Sequence, residues 1–326
     1  MKPHQMPMVV NPDLSPVDRL QAALWVESLH NADQDRRRPV IMPPFHRRTL
    51  LAALAAAPTF GAVWPALANP KVDPLLLKAI DDPRRASPDR ARDIYRHPGE
   101  SLTFWGLKRG EVVIDVNPGT GWWTDIIAPY LAESGGRYIA AGADLNNPAL
   151  SEGARKDRAA FEARYADKSV YGDVSVAGFG KVSGPLAPAN TVDLVLVSRE
   201  AHNWAQVDGF MQKAFGDFRA ALKPGGILAI EEHRAAEGAD PKKGDGYLSE
   251  GFVIAEAKKA GFVLAARSDI NANPKDTKNH PFGVWTLPPS NRSSAFGQPP
   301  NPQFDHTPYL AIGESDRMTL KFVKPV

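Results

Sequence analysis

The stretch VVIDVNPGTGWWTDIIAPYL, from Val112 to Leu131, constrains the fold more than any other part of the chain. Val112, Val113 and Ile114 run into Asp115 without the polar alternation of a strand that has one wet face, as expected of a strand covered on both sides in a parallel sheet. A turn carrying Gly119 and Gly121 follows, and then apolar residues at helical spacing. Strand, glycine turn and helix in that order open a βα unit. Its parallel neighbours can be reached only by crossovers, so the chain must build a layered α/β fold.

The rest of the chain continues this alternation. Strands are expected over 112–116, 138–141, near 169–171, and over 192–197, 227–230 and 262–266. Helices are expected over 123–131, 148–166, 207–222 and 248–260. Before the first strand, Pro83 and Pro88 break helical stretches, and Lys223 to Gly226 (KPGG) turn into the fifth strand. Residues 317–323 set Met318, Leu320 and Phe322 against Thr319, Lys321 and Val323, a pattern that predicts a final antiparallel strand. The Pro-, Asn- and Ser-rich segment at about 271–313 is too long for an idle connection, and reads as a lid or side wall over the strand ends or as a solvent-exposed linker.

The N-terminal region has a different character. His46, Arg47 and Arg48 precede an apolar run from Leu50 to about Trp64, and Ala66-Leu67-Ala68 supplies small residues for cleavage. This layout predicts an export signal over 42–68 of twin-arginine type, with 1–41 a disordered leader or a misplaced start and 69–326 the folded domain. The protein is then expected in the periplasm or outside the cell, and otherwise in the cytoplasm. The apolar run is too short for a stable membrane anchor. Residues 69–326 carry as many Lys and Arg as Asp and Glu, which gives no reason to expect a nucleic-acid partner. With no cysteine, thiolate nucleophiles, thiolate metal sites and disulfides are excluded.

In an open parallel sheet, ligands bind beyond the carboxyl ends of the strands. Gly119 and Gly121 would let a cofactor approach the backbone, and Asp144 follows at about the 20-residue spacing at which an acid meets a ribose diol. A dinucleotide fingerprint wants another glycine where Thr124 stands. After the loop come Asp144, then Gly172-Asp173, then TVDLVLV, then LKPGG. This succession resembles the class I S-adenosylmethionine-dependent methyltransferases.

More narrowly, the chain is similar to a group of predicted bacterial methyltransferases marked by a PGxGWxT loop (Pro118 to Thr124), an RxxH(N/D)W segment (Arg199 to Trp204), an HR pair (His233-Arg234) and an SDRMTLKFxKP ending (Ser315 to Pro325). The resemblance implies a Rossmann-like fold with a seven-stranded, mostly parallel sheet, an antiparallel last strand and helices on both faces. It implies S-adenosylmethionine as cofactor, with Asp115, Asn117, Gly119 and Gly121 shaping its pocket, Asp144 on the ribose and Asp173 on the adenine. Asn117-Pro118 departs from the glycine usual there and removes one backbone donor.

Methyl transfer from a sulfonium needs alignment, and a base if the acceptor must lose a proton. His202 is the first candidate base and His233 the second. Arg199 would bind an acidic part of a small-molecule substrate, and Trp204 would wall the pocket. No metal is expected. The alternative function is an exported binding protein, or an altered enzyme, that keeps this fold without routine methyl transfer.

Overall fold

The structure, a computed structural model, describes residues 71–326. The expected leader and export signal lie outside the described residues. In chain order the elements are α1 (Pro74–Ile80), α2 (Ser87–Arg90), α3 (Asp93–Arg96), α4 (Pro98–Trp105), β1 (Val112–Val116), α5 (Thr124–Ser134), β2 (Arg137–Ala143), α6 (Glu152–Arg164), α7 (Lys168–Tyr171) and β3 (Ser175–Phe179). They continue with β4 (Val192–Ser198), α8 (Ala201–Ala205), α9 (Phe210–Ala221), β5 (Leu222–Ala235), β6 (Leu248–Ser249), α10 (Glu250–Lys259), β7 (Val263–Ser268), β8 (Pro281–Val284), α11 (Thr307–Ile312) and β9 (Arg317–Val323). Among the described residues no helix is long and apolar enough to cross a membrane.

The strands lie side by side in the order β3-β2-β1-β4-β5-β9-β7, with β6 paired to the end of β5. β1 lies between β2 and β4, parallel to both, and β9 runs antiparallel between β5 and β7. This is a mostly parallel, Rossmann-like sheet with antiparallel β9. The reversal of strand order falls between β1 and β4, so the carboxyl ends of these two strands are where a ligand is expected.

Alternate residues of the central strands feed two cores. Ile114, Val195, Val197, Leu228 and Ile230 pack under α8, α9 and α10 with Trp204, Phe215 and Phe218. On the opposite face, Val113, Leu194 and Leu196 pack under α4 and α5 with Trp105, Trp123, Ile126 and Tyr130. In β9, Met318, Leu320 and Phe322 join the first core. The other face of β9 is also covered, with Thr319 fully buried and accepting a hydrogen bond from Asn271.

Two expectations about elements need correction. Residues 168–171 form one turn of helix in place of a strand, because Asp167 caps it by accepting from the Ser169 N–H at 3.0 Å. The third strand comes later, over 175–179. KPGG is a register irregularity near the start of β5: Val192 pairs with Leu222 and Leu194 with Ile227, so residues 223–226 bulge, with Gly225 at φ +79°.

Phe218 is fully buried between α9 and the sheet. We expect Phe218→Ala to cost about 3–5 kcal/mol, read as a lower urea midpoint with an unchanged slope.

Candidate active site

β1 ends at Val116, and the next residue, Asn117, has φ +49°. This left-handed conformation is the one glycine adopts most readily, and among other residues asparagine tolerates it best. The departure from glycine therefore leaves the backbone path of the turn intact and adds an amide. That amide donates to Glu200 Oε2 at 3.0 Å, across the gap to the end of β4.

The two glycines differ in what they do. A Cβ on Gly119 would meet no described atom within 4 Å, so this position borders open space. A Cβ on Gly121 would lie 1.8 Å from the Tyr165 hydroxyl. That hydroxyl donates to Gly121 O and bonds Asp125, while Arg164 donates to Thr120 O. Gly121 thus seats the end of α6 against the turn.

Asp115 is also turned inward. It is 1 % exposed and accepts from the Tyr138 hydroxyl at 2.7 Å, which in turn meets Thr124 Oγ1. Burial pushes its pKa up to about 7 against the pull of the Tyr138 hydrogen bond. Asp144 stands at the end of β2 and accepts from the Asn146 N–H. It lies so close to β3 that a Cβ on Gly178 would be 2.7 Å from its carboxylate. Asp173 precedes β3 and so stands at the opposite edge of the sheet, exposed and paired with Lys168 at 2.7 Å. The expected adenine contact is not brought to the site, because the third strand begins after this residue.

At the carboxyl ends of β4 and β5 the side chains form a connected network. Trp123, from the glycine turn, donates to Ser198 Oγ at 3.0 Å, and Ser198 donates to Glu231 at 2.6 Å. Glu231 is fully buried and flanked by Arg199 at 3.1 Å and Arg317 at 2.9 Å. Burial alone would raise its pKa, but Arg317, Arg199 and Arg96 hold it below the ordinary value. Arg317 and Arg96 share Glu314, and the Arg96 guanidinium lies 4.8 Å from the centre of the Trp122 ring. Arg199, with φ +58°, thus pairs with an internal acid.

His202 lies on α8, 4 % exposed, with Nδ1 2.9 Å from Glu232 Oε1. Burial disfavours its charged form, but the Glu232 carboxylate outweighs this and raises its pKa above the ordinary value. Among the described residues its Nε2 is buried with no hydrogen-bond partner. The His233 ring is 5.3 Å away, with Nδ1 2.6 Å from Ser315 Oγ. Desolvation, His202 and Arg199 push His233 well below its usual pKa. Glu200 is pushed up to about 7 by burial, opposed by the Asn117 hydrogen bond.

A cavity of about 640 Å³ opens beside His202, lined also by Asn203, Gln206, Phe282, Trp285 and Phe296. The segment 271–313 thus supplies one of its walls. Trp285 meets the His202 ring edge-on at 5.8 Å. Trp204, expected as the wall, is packed in the core against Phe179 and Phe218. Gly246 and Gly283 let the two cavity-lining segments touch, since a Cβ on either would lie within 2.4 Å of the other segment. The sequence carried no signal for Trp285 or Tyr165. Ser315 was visible only as part of the SDRMTLKF ending.

No protein-family model and no curated protein matches this sequence. Among solved structures the chain is similar to a SAM-dependent methyltransferase from Aquifex aeolicus, at 22 % identity over 62 % of this chain and 94 % of that one, with a TM-score of 0.42. It is similar to the N-methyltransferase NodS from Bradyrhizobium japonicum in complex with S-adenosyl-L-homocysteine, at 14 % identity over 77 % and 97 %, with a TM-score of 0.42. It is also similar to the [4+2]-cyclase SpnF, at 16 % identity over 77 % and 92 %, with a TM-score of 0.47. The strand order, rather than these likenesses, carries the fold.

The two glycines are separable by experiment. Gly119→Ala is expected to cost about 1–2 kcal/mol for the left-handed backbone alone, whereas Gly121→Ala adds about 1–3 kcal/mol of overpacking against Tyr165, both read by urea denaturation. Asp115 gives a pH signature. Its folded pKa lies above its unfolded one, so its contribution is full below about pH 4 and is lost as pH rises towards about 7. Asp115→Asn should match the wild type near pH 4 and exceed it increasingly up to pH 7, on the order of a few kcal/mol.

Proposed function

We propose that this chain is an S-adenosylmethionine-dependent methyltransferase acting on a small molecule held in the cavity beside His202. The observation that carries the reading is one juxtaposition at the strand-order reversal: a left-handed turn open at Gly119, joined through the Asn117–Glu200 hydrogen bond to the short helix bearing His202. Gly119, Asn117 and Asp144 would hold the cofactor. When bound, it supplies a methyl group on a sulfonium, which requires alignment of the acceptor more than acid catalysis.

The protein's own contribution is then positioning and proton removal. Trp285, Phe282 and Phe296 give the acceptor an apolar wall, while the edge of the cavity is polar. Glu232 fixes the His202 ring through Nδ1, which leaves Nε2 to take a proton from an acceptor hydroxyl or amine. A second reading, a binding protein or altered enzyme that keeps the fold, is favoured by the turn itself, since Gly121 is closed by Tyr165 and Asp115 faces inward. Export over 42–68 belongs with that reading, because the cofactor is made in the cytoplasm.

Calorimetry of the protein with S-adenosylhomocysteine separates the two. We expect saturable binding that Asp144→Ala weakens at least tenfold and that His202→Gln leaves within about threefold, a difference below 1 kcal/mol. Absence of binding at about 1 mM ligand defeats the methyltransferase reading.

A further inference from the structure

The cavity beside His202 has charged walls as well as an apolar face. Phe282, Trp285 and Phe296 line it, and so do Lys243, Lys278 and Arg292. Among the described residues that line it, Asp245 is the one acid. Lys243 lies 2.8 Å from Asp245, and Lys278 lies 2.8 Å from Asp316, which Arg234 also pairs. Glu232 and Asp276 do not line the cavity; each bonds a histidine that does, His202 and His280.

Arg292 is set differently. It is half-buried, and its guanidinium carbon lies 4.6 Å from the centre of the Phe296 ring and 5.9 Å from that of Trp285. Trp285 in turn meets the His202 ring at 5.8 Å. His202, Trp285, Arg292 and Phe296 therefore form a row, with the guanidinium two ring-to-ring steps from His202. The rings stabilise the cation, and the backbone N–H of Arg292 donates to Trp285 O at 2.8 Å, which holds the two residues together. A guanidinium carries five N–H donors in a flat fork. That is more than a single partner fills, and the fork matches a carboxylate at two points.

We propose that the occupant of this cavity is an aromatic acid, with its ring against Phe282 and Trp285 and its carboxylate held by the Arg292 guanidinium. A volume of about 640 Å³ suits a small organic ligand, and aromatic walls with a few placed polar groups are how such sites are built. Charge decides between the aromatic classes. An aromatic amine would be brought beside three cations and one acid, and the rings of Trp285 and Phe296, which could otherwise attract it, already meet Arg292. A neutral phenol would make no charge-assisted bond to the fork. The inference rests on the methyltransferase reading only in taking this occupant as the methyl acceptor, whose other end is then presented to His202. The binding itself needs no cofactor.

The full chain is titrated by calorimetry with 4-hydroxycinnamate, 4-ethylphenol and tyramine, first alone and then with S-adenosylhomocysteine present. We expect 4-hydroxycinnamate to bind with a Kd below about 0.1 mM. The phenol and the amine should bind at least about tenfold more weakly, as the loss of a hydrogen-bonded ion pair implies. Arg292→Gln should weaken 4-hydroxycinnamate at least about tenfold and abolish its advantage over 4-ethylphenol, a contrast that a general loss of packing does not produce. Circular dichroism checks that the variant folds. If it does not, Arg292→Lys, which keeps the charge without the fork, takes its place, with an expected loss of at least about threefold. The proposal is overturned if the acid binds no more tightly than the phenol or the amine, if it binds in neither condition, or if the folded variant binds it as the wild type does. Because the first titration contains no cofactor, a failure of S-adenosylhomocysteine to bind defeats the methyltransferase reading and leaves this one standing.

Discussion

The buried carboxylate of Glu231 is the constraint around which the strand ends are arranged. It lies on a central strand, out of water, where an unpaired charge would be strongly destabilising. Arg199 from the end of β4 and Arg317 from the start of β9 flank it, and Ser198 joins it to Trp123 in the glycine turn. Through Glu314 the same network reaches Arg96, and Arg96 lies over Trp122. A closed circuit thus runs from the turn after β1 across the sheet and back, and it fixes the turn's position relative to His202. Removing Arg199 or Arg317 leaves the buried acid one flanking cation in place of two, so these residues hold the strand ends in position.

This explains which parts of the molecule could be read from the sequence. The strands of the sheet core announced themselves because burial against apolar layers on both faces demands continuous apolar runs, as in β1 and β4, whereas β9 alternates because its second face meets polar partners such as Asn271. Placing β3 failed because the signal was local: Asp167 caps a helical turn, and the strand that follows, SVAGF, is short and only partly buried. With it went the placement of Asp173, which depended on where that strand ended.

The candidate site was legible in its residue types and less so in their tasks. His202, His233 and Arg199 do gather at the carboxyl ends of β4 and β5, where strand ends bring polar groups together. Arg199 pairs with Glu231, a partner on another strand that no spacing reveals. Trp204, expected to wall the pocket, packs in the core for a similar reason, since the short helix after β4 turns the chain back inward. The cavity wall comes from residues 271–313, far along the chain. Asn117 illustrates the opposite case, in which an apparent departure from pattern keeps the same backbone conformation by another means.

The order of contacts has a consequence for how the protein is made. Arg317 meets the carbonyl of Tyr95, 222 residues before it, and completes the pairing of Glu231 only when β9 enters between β5 and β7. A chain growing from its amino end lays down β1 to β5 and β7 while the place of β9 between them stands empty and the acid lacks one of its two flanking cations. Such long-range closure is slow. The nascent protein therefore stays open along β5 until residues 317–323 have been made.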